Sequence, residues 1–136
     1  MKIIILDDYQ DAVRRLSCFA KLARHEVSIF NDTVRQEEVL AERLADAEAV
    51  VLIRERTRIT GSLLERLPGL RLISQTAKAG AHIDLDACTR HGVAVASGYG
   101  SPHSTVELTW GLILAAMRHI PLENRRLREG RWQTTT

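Results

Sequence analysis

Three short clusters carry side chains able to do chemistry, and each follows an apolar run. Asp7-Asp8 sets two carboxylates side by side. Arg54-Glu55-Arg56-Thr57-Arg58 offers guanidinium groups that can hold a carboxylate or phosphate by paired contacts. Thr76-Ala77-Lys78-Ala79-Gly80 is a small-residue turn. There a ligand can come close to the backbone, successive N–H groups can nest an anion, and Lys78 adds charge. Blander readings stand beside each: a turn with a helix start, solvated arginines paired with Glu55, and a plain turn capped by Asp84. His82 and His103 are candidate acid–base groups, but neither has a carboxylate partner identifiable in the sequence. Structural places beside helix termini suit them better.

Gly98-Tyr99-Gly100 looks like half of a dinucleotide fingerprint, yet His103 stands where the third glycine belongs. No ribose-binding acid follows at the spacing the full motif needs, so a tight loop explains the glycines. Asp7-Asp8 also resembles the acidic pair of Mg²⁺-binding receiver domains. Those need a phosphoacceptor aspartate after the third strand, where this chain has Arg54, and a cation there opposes metal binding. No metal-ligand spacing, P-loop, nucleophile elbow or Ser-His-Asp set is present.

The elements that must position these residues alternate. Residues 2–6, 26–30, 49–53, 70–74 and 93–96 are short runs rich in Ile, Val and Leu and read as strands. Between them lie helical-period segments. Residues 10–23 should form an amphipathic helix through Val13, Leu16, Phe19, Ala20 and Ala23. Thr33 with Gln36, and Ser62 with Glu65, make capping boxes for the next two helices. Asp84 caps a helix through Cys88 that stops at Gly92. Five strands and their crossovers imply an α/β fold: a flavodoxin-like, doubly wound, five-stranded parallel sheet of order 2-1-3-4-5, covered on both faces. Ligands in such sheets sit beyond the carboxyl ends of the strands, where all three clusters fall.

A long helix over residues 104–119 follows, apolar most of the way round, so it must be buried on more than one side. Pro121 then starts a charged helix with Arg125, Arg126 and Arg128, ending near Gly130. The expected division is a domain of residues 1–100, then a linking segment of residues 101–136.

Composition excludes some partners. The net charge of +2 gives no reason to expect nucleic acid, and no apolar run is long enough to span a membrane. Cys18 and Cys88 fit buried thiols in a reducing cytoplasm.

Together these motifs resemble the D-isomer-specific 2-hydroxyacid dehydrogenases, near the phosphoglycerate dehydrogenase branch. The resemblance lies in Thr76-Ala77-Lys78-Ala79-Gly80-Ala81-His82-Ile83-Asp84-Leu85, His91-Gly92-Val93-Ala94-Val95, Ser101-Pro102, Val106-Glu107, Arg118 and Arg128-x-Gly-x-Trp132, with Ile53-Arg54-Glu55-Arg56-Thr57 as the basic loop. It implies a substrate domain holding a small 2-hydroxy or 2-keto acid, joined to a Rossmann domain that binds NAD or NADP. The backbone amides of Lys78, Ala79 and Gly80 match the carboxylate-holding loop. Arg54 and Arg56 match the substrate-facing basic loop. Lys78 and Val106 match positions beside the cofactor. The usual Gly-x-Gly of the carboxylate loop reads Ala77-Lys78-Ala79 here. The usual Asn-Val-Asp reads His82-Ile83-Asp84, and the Asn after Ser-Pro is His103. The family's catalytic arginine, glutamate and histidine would lie beyond Thr136, so no catalytic residue is assigned. The expected protein is cytoplasmic, self-associating as a homodimer or through residues 104–119, and inactive without its cofactor domain. The alternative is a small-acid binding module or pseudo-enzyme without chemistry.

Overall fold

In the computed structural model, residues 1–100 and 103–132 are described. They fall into two compact units, Met1–Gly100 and Ser101–Thr136. The first contains a five-stranded sheet whose strands are β1 (Lys2–Ile5), β2 (Glu26–Ile29), β3 (Ala49–Leu52), β4 (Leu72–Gln75) and β5 (Ala94–Ser97). The spatial order is β2-β1-β3-β4-β5, and every pairing is parallel. The α/β fold and strand order expected from the sequence therefore hold. The chain reverses its direction of travel across the sheet between β1 and β3, the switch point at which such sheets open a crevice.

The two faces of the sheet are unequal. On one, α1 (Glu37–Leu44), α2 (Gly61–Glu65) and α3 (Leu85–Arg90) bury their apolar sides against alternate strand residues. Eighteen buried residues form that cluster, among them Leu44, Leu63 and Ile73 at 0% exposure. A fully buried side chain of this size contributes about 2 kcal/mol. The other face has only three buried residues, Ile3, Ile5 and Ala49, with partly covered neighbours such as Phe19, Val27 and Val51. Both faces carry an apolar cluster, the second much smaller than the first.

One expected helix is replaced. Residues 10–23 form two 3₁₀ segments, Val13–Arg15 and Ser17–Leu22, separated by an extended Leu16 with ψ 134°. In a 3₁₀ turn residues i and i+3 eclipse, so Phe19 and Leu22 share one side and both pack on the sheet. Leu16 is 52% exposed instead of packed. The Asp8 carboxylate starts this segment by accepting from the amides of Ala12 and Val13, at 3.0 and 2.9 Å. Cys18 is exposed as a result, whereas Cys88 is buried and desolvation raises its thiol pKa.

Two caps differ from expectation. α2 is capped by Thr60, whose hydroxyl accepts from the Leu63 amide, and not by Ser62. α1 begins after Gln36 with no side-chain cap, because Thr33 is bonded to Asp7. Asp84 caps α3 as expected, accepting from the Ala87 amide at 2.8 Å, and the turn after α3 closes at Gly92 with φ 68°.

The second unit contains α4 (His103–Met117) and α5 (Ile120–Arg128). They are separated by His119 in the left-handed region (φ 51°), with Pro121 in the first turn of α5. α4 exposes apolar residues around its circumference, including Val106, Leu108, Trp110, Leu112 and Leu114. No described helix is long and apolar enough to cross a membrane.

Candidate functional site

At the switch point, the end of β1 turns through Asp7, which is 1% exposed and left-handed at φ 61°. Aspartate tolerates that conformation better than most residues. Its Oδ2 accepts the Thr57 hydroxyl at 2.6 Å and its Oδ1 accepts the Thr33 hydroxyl. The Tyr9 hydroxyl completes the chain by bonding Thr33. Asp8 is also buried and is spent on its two amides. Both acids are therefore structural, and Asp7 does more than begin a turn. It fastens the loops after β1, β2 and β3 to one carboxylate.

Arg54 and Arg56 are held by different contacts, the first through its backbone and the second through its side chain. Arg56 reaches back to β1: its Nη1 donates to the Asp7 carbonyl at 2.6 Å, and its guanidinium lies 4.1 Å from the centre of the Tyr9 ring. That arrangement is a cation–π contact. Arg56 also lines a cavity of about 590 Å³ with Arg35, Glu37, Glu55, Thr57 and Arg58. A hydrogen bond from Thr60, and a second from Ser62, hold the Glu37 carboxyl at the same cavity below its ordinary value. Arg54 faces β4 through its backbone. Its φ is 59°, its amide donates to Thr76 Oγ1 at 3.3 Å, and its carbonyl accepts from Gln75 Nε2 at 3.0 Å.

The small-residue turn after β4 is partly exposed. The only glycines with positive φ among the described residues are Gly92 and Gly130, and neither Ala77 nor Ala79 is among the positive-φ residues. Alanine therefore fits where glycine is usual, because this loop does not enter the left-handed region. The Ala79 amide donates to Ser97 Oγ at 3.2 Å, whereas the amides of Lys78 and Gly80 make no hydrogen bond among the described residues. Glu55 comes near as well: a Cβ placed on Gly80 would lie 3.4 Å from Glu55 Oε1 and 3.5 Å from His82 Nδ1.

Gly98 owes its identity to this loop. A Cβ there would sit 2.6 Å from the Thr76 carbonyl oxygen, and the Gly98 amide already donates to the carbonyls of Gln75 and Ala77. Gly98 thus packs β5's exit against β4's exit, whereas Tyr99 is exposed and a Cβ on Gly100 would meet open space. The close approach at Gly98 is that of a tight loop.

His82 is 8% exposed, with Nε2 3.3 Å from Gln75 Oε1 and Nδ1 without a partner. A buried polar atom left unpaired costs about 1–3 kcal/mol. Sequence reasoning passed over Gln75, Thr57 and Tyr9. The one signal for Gln75 is a long amide closing the Leu-Ile-Ser run of β4. Lys78 is exposed on its loop, and Val106 belongs to the second unit, 53% exposed on α4. Among the described residues, no three His, Cys, Asp or Glu side chains gather as metal ligands.

Known proteins similar to this chain share a family. A family profile described as D-isomer specific 2-hydroxyacid dehydrogenase, catalytic domain, matches residues 3–135. A D-3-phosphoglycerate dehydrogenase of Methanocaldococcus jannaschii is 31% identical over 134 residues, covering 97% of this chain and 24% of the relative. A glyoxylate/hydroxypyruvate reductase of Arabidopsis thaliana is 30% identical over 114 residues, covering 82% of this chain and 35% of the relative. The crystal structure of a phosphoglycerate oxidoreductase from Vibrio cholerae O395 superposes with TM-score 0.80 at 56% identity, covering 98% of this chain and 42% of that one. The chain thus spans about a quarter to two fifths of the length of these proteins.

Proposed function

Because this chain belongs to the D-isomer specific 2-hydroxyacid dehydrogenase family, we propose that it is the substrate-holding part of an NAD- or NADP-dependent oxidoreductase. The substrate is a small 2-hydroxy or 2-keto acid. The observation that carries this reading is the pair of uncommitted amides at Lys78 and Gly80, on an exposed loop at the carboxyl end of β4. They flank the Ala79 amide, which is held only by a 3.2 Å bond to the Ser97 hydroxyl. A carboxylate accepting from these N–H groups gains charge-assisted hydrogen bonds. Arg54, tied to the same loop through Thr76 and Gln75, supplies the positive charge that orients it. Arg56 takes a second acidic group, if the substrate has one, at the neighbouring cavity.

The cofactor supplies hydride exchange when bound. The described residues include no glycine-rich phosphate cradle, since Gly98 is occupied in packing against Thr76. What this chain offers the cofactor is small: the exposed Lys78 and, from α4, Val106. By itself the chain holds substrate without turning it over. Association through α4, as a homodimer, and a cytoplasmic setting complete the proposal.

Titration of the ¹⁵N-labelled chain with oxalate, a planar stand-in for a 2-keto acid, tests the reading. The Lys78, Ala79 and Gly80 amide resonances should move together and saturate. No movement at those three amides would overturn it.

A further inference from the structure

The proposed site contains a buried connection that substrate binding alone does not require. Arg54 holds a left-handed backbone that residues other than Gly, Asn and Asp rarely adopt. That conformation is fastened on both sides. The Arg54 amide donates to Thr76 Oγ1, and the Arg54 carbonyl accepts from Gln75 Nε2 at 3.0 Å.

Gln75 is 2% exposed at the end of β4, where an apolar side chain would continue the core at no desolvation cost. Its amide has only one workable orientation. With its NH₂ group on the Arg54 carbonyl, its oxygen must face His82 Nε2, 3.3 Å away. His82 Nε2 therefore carries a proton and donates, and Nδ1 is the nitrogen without a partner among the described residues. His82 lies two residues after Gly80, the last residue of the turn, and its carbonyl accepts from the Ile59 amide, just past the arginine loop, at 2.8 Å. One buried amide thus joins the backbone of Arg54 to the segment that follows the carboxylate-holding turn.

We propose that Gln75 and His82 are positioning residues that fix Arg54 in its left-handed conformation and so set its place relative to the Lys78 and Gly80 amides. The proposal rests on the reading of Arg54 as substrate-facing, and it is tested by two measurements of different kinds. A left-handed residue has a short intraresidue distance between its amide proton and Hα. The nuclear Overhauser effect between these protons at Arg54 reports the conformation whether or not ligand is present.

In Gln75→Leu that effect should weaken and oxalate affinity should fall roughly three- to tenfold, the worth of a hydrogen bond to the chain. His82→Leu should move both readouts the same way, and His82→Gln, which keeps a donor near Nε2, should restore them. If Gln75→Leu fails to fold, the His82→Leu and His82→Gln pair decides. Unchanged Arg54 signals and unchanged affinity in the folded leucine variants would overturn the proposal. Failure of the wild-type chain to bind oxalate would instead overturn the substrate reading, and the Overhauser effect would still judge the positioning.

Discussion

The carboxyl ends of β1 and β4, one acidic and one a small-residue turn, are finished differently. At the end of β1, Asp7 has both carboxylate oxygens and its carbonyl engaged by Thr33, Thr57 and Arg56. At the end of β4, the amides of Ala77, Lys78 and Gly80 have no partner among the described residues, and that of Ala79 has a single long bond. The first end is a fastening and the second a receptacle. Buried polar groups that satisfy one another stabilise a fold but leave nothing for a ligand. A loop meant to hold an anion must keep donors in reserve. The fastening commits the Asp7 carboxylate and carbonyl at the switch point, and the uncommitted amides lie two strands away from β1, at the end of β4.

The sharpest way to break this contrast is to exchange the two ends' sensitivities. Asp7→Ala should lower unfolding free energy by about 3 kcal/mol, since two hydroxyls lose their acceptor and a strained turn loses its support. Lys78→Ala should stay within about 0.5 kcal/mol of wild type, as an exposed substitution does. Urea unfolding of both variants measures the difference, and equal losses would erase the distinction.

Gly98→Ala probes the receptacle from behind. A methyl 2.6 Å from the Thr76 carbonyl cannot be accommodated without moving the turn. A loss of about 2 kcal/mol is expected, as for overpacking elsewhere. Amide resonances of residues 76–80 should shift while those of β1 stay in place. Shifts spread evenly over the sheet would contradict a local role.

Tyr9 separates ring from hydroxyl within the fastening. Tyr9→Leu should cost about 0.5–1 kcal/mol more than Tyr9→Phe, the increment being the ring beneath Arg56. Identical unfolding curves for the two would mean that Arg56 is held by the Asp7 carbonyl alone.

The smallest expected effect is a pH dependence at the edge of the fastening. The Thr60 hydroxyl holds the Glu37 carboxyl below its ordinary 4.5. The unfolded chain therefore binds this proton more readily than the folded one. The contribution is present above pH 4.5 and disappears as pH falls through the folded value. Unfolding curves between neutral and acid pH should lose stability more steeply for wild type than for Glu37→Gln. Parallel curves would assign acid sensitivity to other carboxylates.

What the sequence made legible is what local pattern controls. The Ile and Val runs of β1 and β3 mark buried parallel strands, and Asp84 and Gly92 bracket α3 by cap chemistry within its own segment. The misplaced features depend on distant residues. Residues 10–23 have an apolar spacing that suits both 3.6 and 3.0 residues per turn, and contact with the sheet chose the latter. Thr60 outcompetes Ser62 as a cap while donating its own proton to Glu37 from another helix. Asp7 and Thr57 are 50 residues apart, and only the pairing of β1 with β3 brings them together. Arg54 and Arg56 read as equals because two residues of spacing say nothing about a left-handed turn between them.

The amide of Gln75 narrows what this position can become. It must give a proton at one end and take one at the other, in a fixed order along the side chain. Glutamate can only take where a giver is needed, and lysine can only give. Asparagine has both ends but falls a methylene short. An apolar residue would suit the core and abandon both neighbours. Drift at this site is therefore confined by direction and reach together, so the loop that meets solvent is restrained by a residue that solvent never touches.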